Sequence, residues 1–304
     1  MRKIFVLGSF VYDLVTTMDK FPEAKESVIG RKFETFPGGK GANQAIAIKR
    51  LGGDVIINGK VGHDNFGENF LNLLKKERIC TDFIKISDES TGIGCVQIDG
   101  NGQNRICIVL GANYDFTKED IAIDEMKKCD FFLTQFEMKK EVTEYGIKIA
   151  KENGLITFVN PAPAREISDE IFQYIDYITP NEKEIETLTG IKVNNVEDAF
   201  KASEVLLSKG VKNVVCTIGE KGSTFMNKDK RIYTKAFKVD PIDTVAAGDS
   251  FNGAFVTMIA NDQSVEYALK FANAMGALTT LTKGAIPSLR SYNDVINFMS
   301  WYDK

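Results

Sequence analysis

The sequence predicts an α/β protein: a doubly wound, mostly parallel sheet with helices on both faces, and a small β-sheet lid beside it. Three observations predict it. From Asp54 onward, short β-branched and aromatic runs alternate with helical stretches of about 10–15 residues, as successive strand–helix–strand units require. Two extended stretches, 11–17 and 28–36, precede the first helix, which a plain strand–helix start does not allow. A turn signal, Asp99-Gly100-Asn101-Gly102, joins two further extended runs, 91–98 and 105–110, into a hairpin. The early pair and the hairpin build the small sheet, over about residues 11–36 and 91–110 of a single domain spanning 1–304.

Residues 4–8 are an apolar first strand of the kind buried on both faces. The run is too short for a signal-peptide core, and no apolar run approaches the ~20 residues that span a bilayer. Next comes Phe36-Pro37-Gly38-Gly39-Lys40-Gly41-Ala42-Asn43-Gln44-Ala45, leading into a helix through Ile46, Ile48 and Leu51 that Gly52-Gly53 stops. Glycines there permit positive φ and close backbone approach to a ligand. The run is not G-x-x-x-x-G-K-[ST], and no G-x-G-x-x-G follows the first strand, so a P-loop and a dinucleotide fingerprint are both missing. Strands follow at 55–57, 83–86, 131–133, 156–159, 177–179 and 214–217. Helices are expected at 66–77, from a capping-box variant at Thr117 and Asp120, at 139–152 and 195–209, from Ser250 to about Ala260, and at 264–281 and 291–300.

Ligands of such sheets bind at the carboxyl ends of the strands. Glu137, Asn160, Asn181 and Thr217-Ile218-Gly219 lie just past predicted strand ends, with Asp13 near the first strand, so polar groups converge on one crevice. In Asp243-Thr244-Val245-Ala246-Ala247-Gly248-Asp249 small residues lead into a helix. A helix N-terminus offers unpaired N–H groups and a positive dipole, which suit an anion. Ala246, Ala247 and Gly248 let a phosphate approach the backbone, and Asp249 at the rim is placed to take a proton from an attacking hydroxyl. The alternative is an ordinary helix start with Asp249 as N-cap. Equally, Lys40 alone reads as a surface lysine, Glu137 as a surface or capping carboxylate, and Asn181 as the cap of the helix after Pro180.

Bulk properties narrow the partners. The net charge is -4 with both signs interspersed, so nothing recommends nucleic acid. Five cysteines, odd in number and far apart, read as reduced, mostly buried thiols of a cytoplasmic protein and not as a disulfide frame or zinc site. The lone histidine, His63, supplies no metal cluster.

Four stretches taken together, Gly38 to Ala45, Asn160-Pro161-Ala162-Pro163-Ala164-Arg165, Thr179-Pro180-Asn181-Glu182 and Asp243 to Asp249, resemble the phosphofructokinase-B (ribokinase) family of sugar kinases. The likeness runs through essentially the whole chain in the family's order, and the Asn160 to Arg165 run narrows it towards the ribokinase branch. It implies transfer of the γ-phosphoryl group of ATP to the 5-hydroxyl of D-ribose, in a cytoplasmic homodimer joined through the β lid, with no nucleic acid or membrane partner. By resemblance Asp249 is the base, and the backbone of Ala246, Ala247 and Gly248 is the anion hole. The sugar falls to Val11, Asp13, Gly39, Lys40, Gly41, Ala42, Asn43 and Glu137. Asn181 and Glu184 match positions linked to phosphate and Mg2+, Thr217, Ile218, Gly219, Glu220, Lys221 and Gly222 a loop beside the nucleotide, and Asn273 a position near its base. The oxygens matching a K+ site belong to Asp243, Val245, Thr279, Thr282, Gly284 and Ser288.

Two departures stand out. Val11-Tyr12-Asp13 replaces a common Asn-x-Asp, removing one amide from the sugar site and leaving room for another sugar or a nucleoside. Leu281-Thr282-Lys283-Gly284-Ala285 replaces a common Arg-Lys-Gly-Ala run, which backbone ligands tolerate. A catalytically silent sugar- or nucleotide-binding protein would have lost Asp249 or Gly248, and a nicotinamide-dependent dehydrogenase would carry the missing fingerprint.

Overall fold

A computed structural model describes residues 2–302. The chain opens with β1 (Lys3–Leu7), β2 (Val11–Thr17), β3 (Lys32–Gly38), α1 (Lys40–Arg50), β4 (Asp54–Gly62), α2 (Asn65–Lys76) and β5 (Ile84–Ser87). It continues through β6 (Gly92–Ile98), β7 (Asn104–Val109), α3 (Ala112–Asp115), α4 (Ile123–Met126), β8 (Phe131–Thr134), α5 (Lys140–Glu152) and β9 (Ile156–Val159). Then come β10 (Tyr177–Ile178), α6 (Glu182–Thr189), α7 (Val196–Ser208), β11 (Asn213–Thr217), β12 (Ser223–Met226) and β13 (Arg231–Thr234). Four helices close the described chain: α8 (Ala247–Ala260), α9 (Val265–Thr279), α10 (Ala285–Ser288) and α11 (Tyr292–Tyr302).

Nine strands form one sheet in the order β13-β12-β11-β10-β9-β8-β1-β4-β5, parallel except for the β11–β12 and β12–β13 pairs. Period-2 alternation explains why it is covered on both faces. In β1, Ile4 and Val6 join one core with α1, α8 and α9, while Phe5 and Leu7 join another with α5 and α7. The second sheet has the order β3-β2-β6-β7, with β2–β6 parallel and the outer pairs antiparallel. It is built from the stretches expected to leave the main layer.

Three local expectations change. The second extended stretch begins at Lys32, four residues later than expected, and runs to Gly38. At Thr117 the capping box forms, but it opens only a 3-10 turn over Lys118–Asp120 before the separate short α4. The edge hairpin β12–β13 was not expected, because its turn carries no glycine. Asn227 Oδ1 makes the turn instead, accepting from the N–H of Asp229 (2.9 Å) and Lys230 (2.8 Å).

One contact sets the position of the site. A Cβ on Gly253 of α8 would meet Ala47 Cβ at 2.7 Å and Gln44 O at 3.1 Å. The bare glycine therefore lets α8 lie directly on α1 and brings the two helix starts together.

Candidate active site

Asp249 lies in the first turn of α8 and is buried. It does not cap that helix: the N-cap is Ala246, in the left-handed region at φ 61, without a side-chain hydrogen bond. The carboxylate instead crosses to α1, where Oδ2 accepts from Asn43 Nδ2 at 2.8 Å and Oδ1 from Gln44 Nε2 at 3.0 Å. Asn43 Oδ1 is buried with no partner, an acceptor left open beside the carboxylate.

Helix α1 begins beside a second carboxylate. Glu137, just past β8, is 6% exposed, so it is no surface acid. Its Oε2 accepts from Ser9 Oγ at 2.5 Å and from the Lys40 N–H at 2.8 Å, satisfying the helix terminus. The Lys40 side chain is no free surface cation either. Burial pushes its pKa down, but Asp249, Glu137, Glu184 and Asp13 outweigh that and hold it above the ordinary lysine value.

Asp13 projects from β2 into a gap left by two glycines: Cβ atoms on Gly94 and Gly38 would stand 2.4 and 3.2 Å from its oxygens. Its pKa is pushed up to about 7, first by burial and then by Glu137, with Lys40 opposing and Asp243 and Asp249 adding. Val11, on the same strand, is buried and brings no polar side-chain group.

Two chambers meet at the start of α8. A polar one of about 200 Å³ is lined by Lys40, Asn160, Asn181, Glu184, Gly248 and Asp249, among others. A larger one of about 1000 Å³ shares Asn181, Thr217, Thr244 and Gly248 with it. Gly219, Glu220, Lys221, Gly222 and Asn273 line the larger chamber. Asn181 does cap α6, in a capping box with Glu184, and both also face the polar chamber. Burial first, against a hydrogen bond from the Asn181 backbone, raises the Glu184 pKa. A Cβ on Gly248 would meet open space, so the backbone there is accessible from both chambers. Ala246 lines the smaller chamber and Ala247 the larger, although the Ala247 N–H already donates to Thr244 O at 3.3 Å.

Some expected positions fall elsewhere. Gly41 and Ala42 are buried against the β1–β2 turn: their N–H groups donate to Ser9 Oγ and Ser9 O, and a Cβ on Gly41 would lie 2.3 Å from Ser9 N. Gly39 has φ 82 and its Cβ would meet Val11 N at 2.5 Å. Both glycines are therefore required by the chain's own close packing. Ile218 points into the hydrophobic core. Conversely, the segment from Ala236 to Pro241 and Gly276, Ala277 and Thr280 line the larger chamber. Sequence reasoning missed them; the one available signal was the small residues a turn after Asn273 on α9.

Beyond the chambers, Asp243 ties two loops together, Oδ1 accepting from the Val245 N–H (3.0 Å) and Oδ2 from the Gly284 N–H (2.9 Å). Thr279 and Ser288 are buried nearby in sequence, their hydroxyls donating to Met275 O and Ala285 O. The Thr282 hydroxyl accepts from Arg290 Nη2. These groups are all oxygens, the donor type a hard cation takes.

Comparison with known proteins gives the same fold and function class. The family model described as "pfkB family carbohydrate kinase" matches residues 1–291. A ribokinase of Haemophilus influenzae is 38% identical over 98% of this chain and 99% of its own length. A deoxyribokinase of Salmonella typhi is 35% identical over 97% and 98%. The structure of an Arabidopsis thaliana ribokinase complexed with ribose and ATP superimposes with a TM-score of 0.92 at 28% identity, covering 98% of each chain. With a buried carboxylate at a helix start, a lysine among acids and a large adjoining chamber, the chain belongs to the pfkB family of carbohydrate kinases.

Proposed function

We propose that this protein is a ribokinase, transferring the γ-phosphoryl group of ATP to the 5-hydroxyl of D-ribose to give D-ribose 5-phosphate and ADP. The observation that carries the reading is Asp249: a buried carboxylate held by Asn43 and Gln44, facing the polar chamber directly beside Gly248, which both chambers share. The larger chamber takes ATP. The sugar lies against Asp13, Lys40, Asn43 and Glu137, where the open Asn43 Oδ1 accepts one hydroxyl. Asp249 takes the 5-hydroxyl proton as that oxygen bonds to the γ-phosphorus and the bond to ADP breaks. The backbone at Ala246, Ala247 and Gly248 and the Lys40 ammonium stabilise the charge on the transferring group. Mg2+ would neutralise phosphate charge, and Asn181 and Glu184, which line the polar chamber, are the residues that would hold it there, Glu184 indirectly. A K+ ion suits the oxygens of Asp243, Val245, Thr279, Thr282, Gly284 and Ser288.

The small sheet, contributed by about residues 11–36 and 91–110 of a single kinase domain, acts as a lid that keeps water from the phosphoryl group. Its exposed Phe33, Ile106, Ile108 and Val109 support a homodimer in which two such sheets meet. Light scattering checks this: a dimer is expected, and a monomer at micromolar concentration contradicts it. No described helix is long and apolar enough to cross a membrane. The cysteines are free, with Cys80, Cys95 and Cys107 exposed, which favours a reducing, cytoplasmic setting.

A second reading, a kinase preferring 2-deoxy-D-ribose, is favoured by apolar Val11 and by the similarity to a deoxyribokinase. ADP release from MgATP, measured with D-ribose, 2-deoxy-D-ribose, D-fructose and adenosine, separates them. Highest kcat/KM with D-ribose is expected. A preference for another acceptor moves the specificity, and no turnover with any acceptor overturns the kinase reading.

A further inference from the structure

Two amides lie behind the site, Gln44, which holds the Asp249 carboxylate, and Gln135. Gln44 is fully buried and Gln135 is 1% exposed, and neither lines either chamber. They are joined in sequence to the carboxylate. Gln135 Nε2 donates to Gln44 Oε1 at 2.7 Å, and Gln44 Nε2 donates to Asp249 Oδ1 at 3.0 Å. Gln44 Nε2 also donates to Asn160 Oδ1 at 3.0 Å, and Asn160 Nδ2 is itself held by Thr179 O at 3.0 Å. Gln135 lies two residues before Glu137, at the same strand end, and a Cβ on Gly8 would sit 2.8 Å from its Oε1. Its Oε1 is buried without a hydrogen-bond partner, so the donor end on Gln44 is what ties this side chain.

The chemistry of an amide makes this arrangement directional. A glutamine presents a donor at one terminal atom and an acceptor at the other. The Gln135 donor on Gln44 Oε1 permits only the orientation that turns Gln44 Nε2 towards Asp249. A carboxylate oxygen has two lone-pair positions. Asn43 occupies one on Oδ2 and Gln44 one on Oδ1, which leaves a defined position on each for an incoming hydroxyl. The terminal torsion of an aspartate is otherwise broad, so a carboxylate that lost the Gln44 contact would rotate.

We propose that Gln135 and Gln44 form a positioning relay: Gln44 fixes the rotation of the Asp249 carboxylate towards the sugar hydroxyl, and Gln135 acts solely by locking Gln44. The proposal rests on the reading of Asp249 as the base. A group misplaced by about 1 Å costs roughly 100-fold in rate, and the loss falls on kcat because neither glutamine touches sugar or nucleotide.

The experiment compares Gln44→Met, Gln135→Met and the double variant, substitutions that keep side-chain volume. Steady-state kinetics with D-ribose and MgATP give kcat and both KM values, and thermal melting reports folding. Gln44→Met should lower kcat by about 30- to 100-fold with both KM values within about threefold. Gln135→Met should lower kcat by about 5- to 10-fold, and the double variant should match Gln44→Met alone, since one residue acts only through the other. Additive losses, raised KM values with kcat unchanged, or wild-type kcat in Gln44→Met overturn the relay. If Gln44→Met does not fold, Gln135→Met carries the test at the far end, where unchanged kcat overturns it. Asp249→Asn separates the two levels. Retained turnover there sinks the base assignment, whereas abolished turnover alongside full activity of Gln44→Met sinks the relay alone.

Discussion

Replacing Asp13 by asparagine should stabilise the ligand-free protein at alkaline pH while removing its use of sugar. The carboxyl stands between Gly38 and Gly94, and burial followed by the charge of Glu137 lifts its pKa to about 7 from the ordinary 3.8. A gap of about three pH units corresponds to ~4 kcal/mol, which we discount to ~2 kcal/mol because the side chain is partly exposed and screened. The sign follows from proton release. With the folded value raised, the unfolded chain ionises first, so the carboxyl contributes most to stability below about pH 4 and that contribution is lost as pH climbs through 7. Urea unfolding of wild type and Asp13→Asn, without sugar, at about pH 5.5 and 8.5 reads this directly. Wild type should lose ~1–2 kcal/mol relative to the variant across that interval. Sugar binding should be lost in the variant, because a neutral amide accepts fewer hydroxyl hydrogen bonds than a carboxylate. A stability difference that stays constant between the two pH values would refute the placement of an ionising Asp13 in this crowded acidic site.

The same geometry carries other expectations. Val11→Asn, which restores an amide beside Asp13, should raise kcat/KM for D-ribose relative to 2-deoxy-D-ribose by about tenfold, the worth of one hydrogen bond; an unchanged ratio removes position 11 from specificity. Gly253→Ala must push α8 from α1, because its Cβ meets Ala47 and the Gln44 carbonyl. It should cost ~1–3 kcal/mol in unfolding and lower kcat more than either KM, and a variant indistinguishable from wild type in both would contradict the contact. Exchanging Na+ for K+ should lower turnover severalfold in wild type, and Asp243→Ala should abolish the difference; equal rates in both salts would dispose of the cation site.

Much of the fold was legible because it is written in periodicity. The unbroken apolar run Ile4, Phe5, Val6 and Leu7, buried on both faces, and the strand–helix rhythm after Asp54 need no tertiary information. The hairpin at Asp99-Gly100-Asn101-Gly102 was readable from its glycines, whereas β12–β13 turns on the Asn227 side chain and gave no comparable signal. The site shows the same division. Asp249 and Glu137 were singled out from residue type and position near a helix start and a strand end, whereas Lys40 entered only through the family likeness. Which of them face a chamber was not readable. Gly41 and Ala42 belong to the motif yet spend their N–H groups on Ser9, and Ile218 points away from its loop into the core. The segment from Ala236 to Pro241 carries no motif, since it contributes wall and not chemistry. Gln135 was invisible for another reason: its meaning depends on a hydrogen bond to a residue 91 positions away.

The most direct test of the account is 31P NMR of the reaction of wild-type protein with MgATP and D-ribose in potassium buffer, repeated with Asp249→Asn. We expect a phosphomonoester on the sugar 5-oxygen in amounts equal to ADP for wild type, and no product for the variant although both ligands still bind. Inorganic phosphate with no sugar ester, a phosphate on another sugar oxygen, or undiminished product from Asp249→Asn would contradict the assignment of Asp249 as the base that delivers the 5-hydroxyl to ATP.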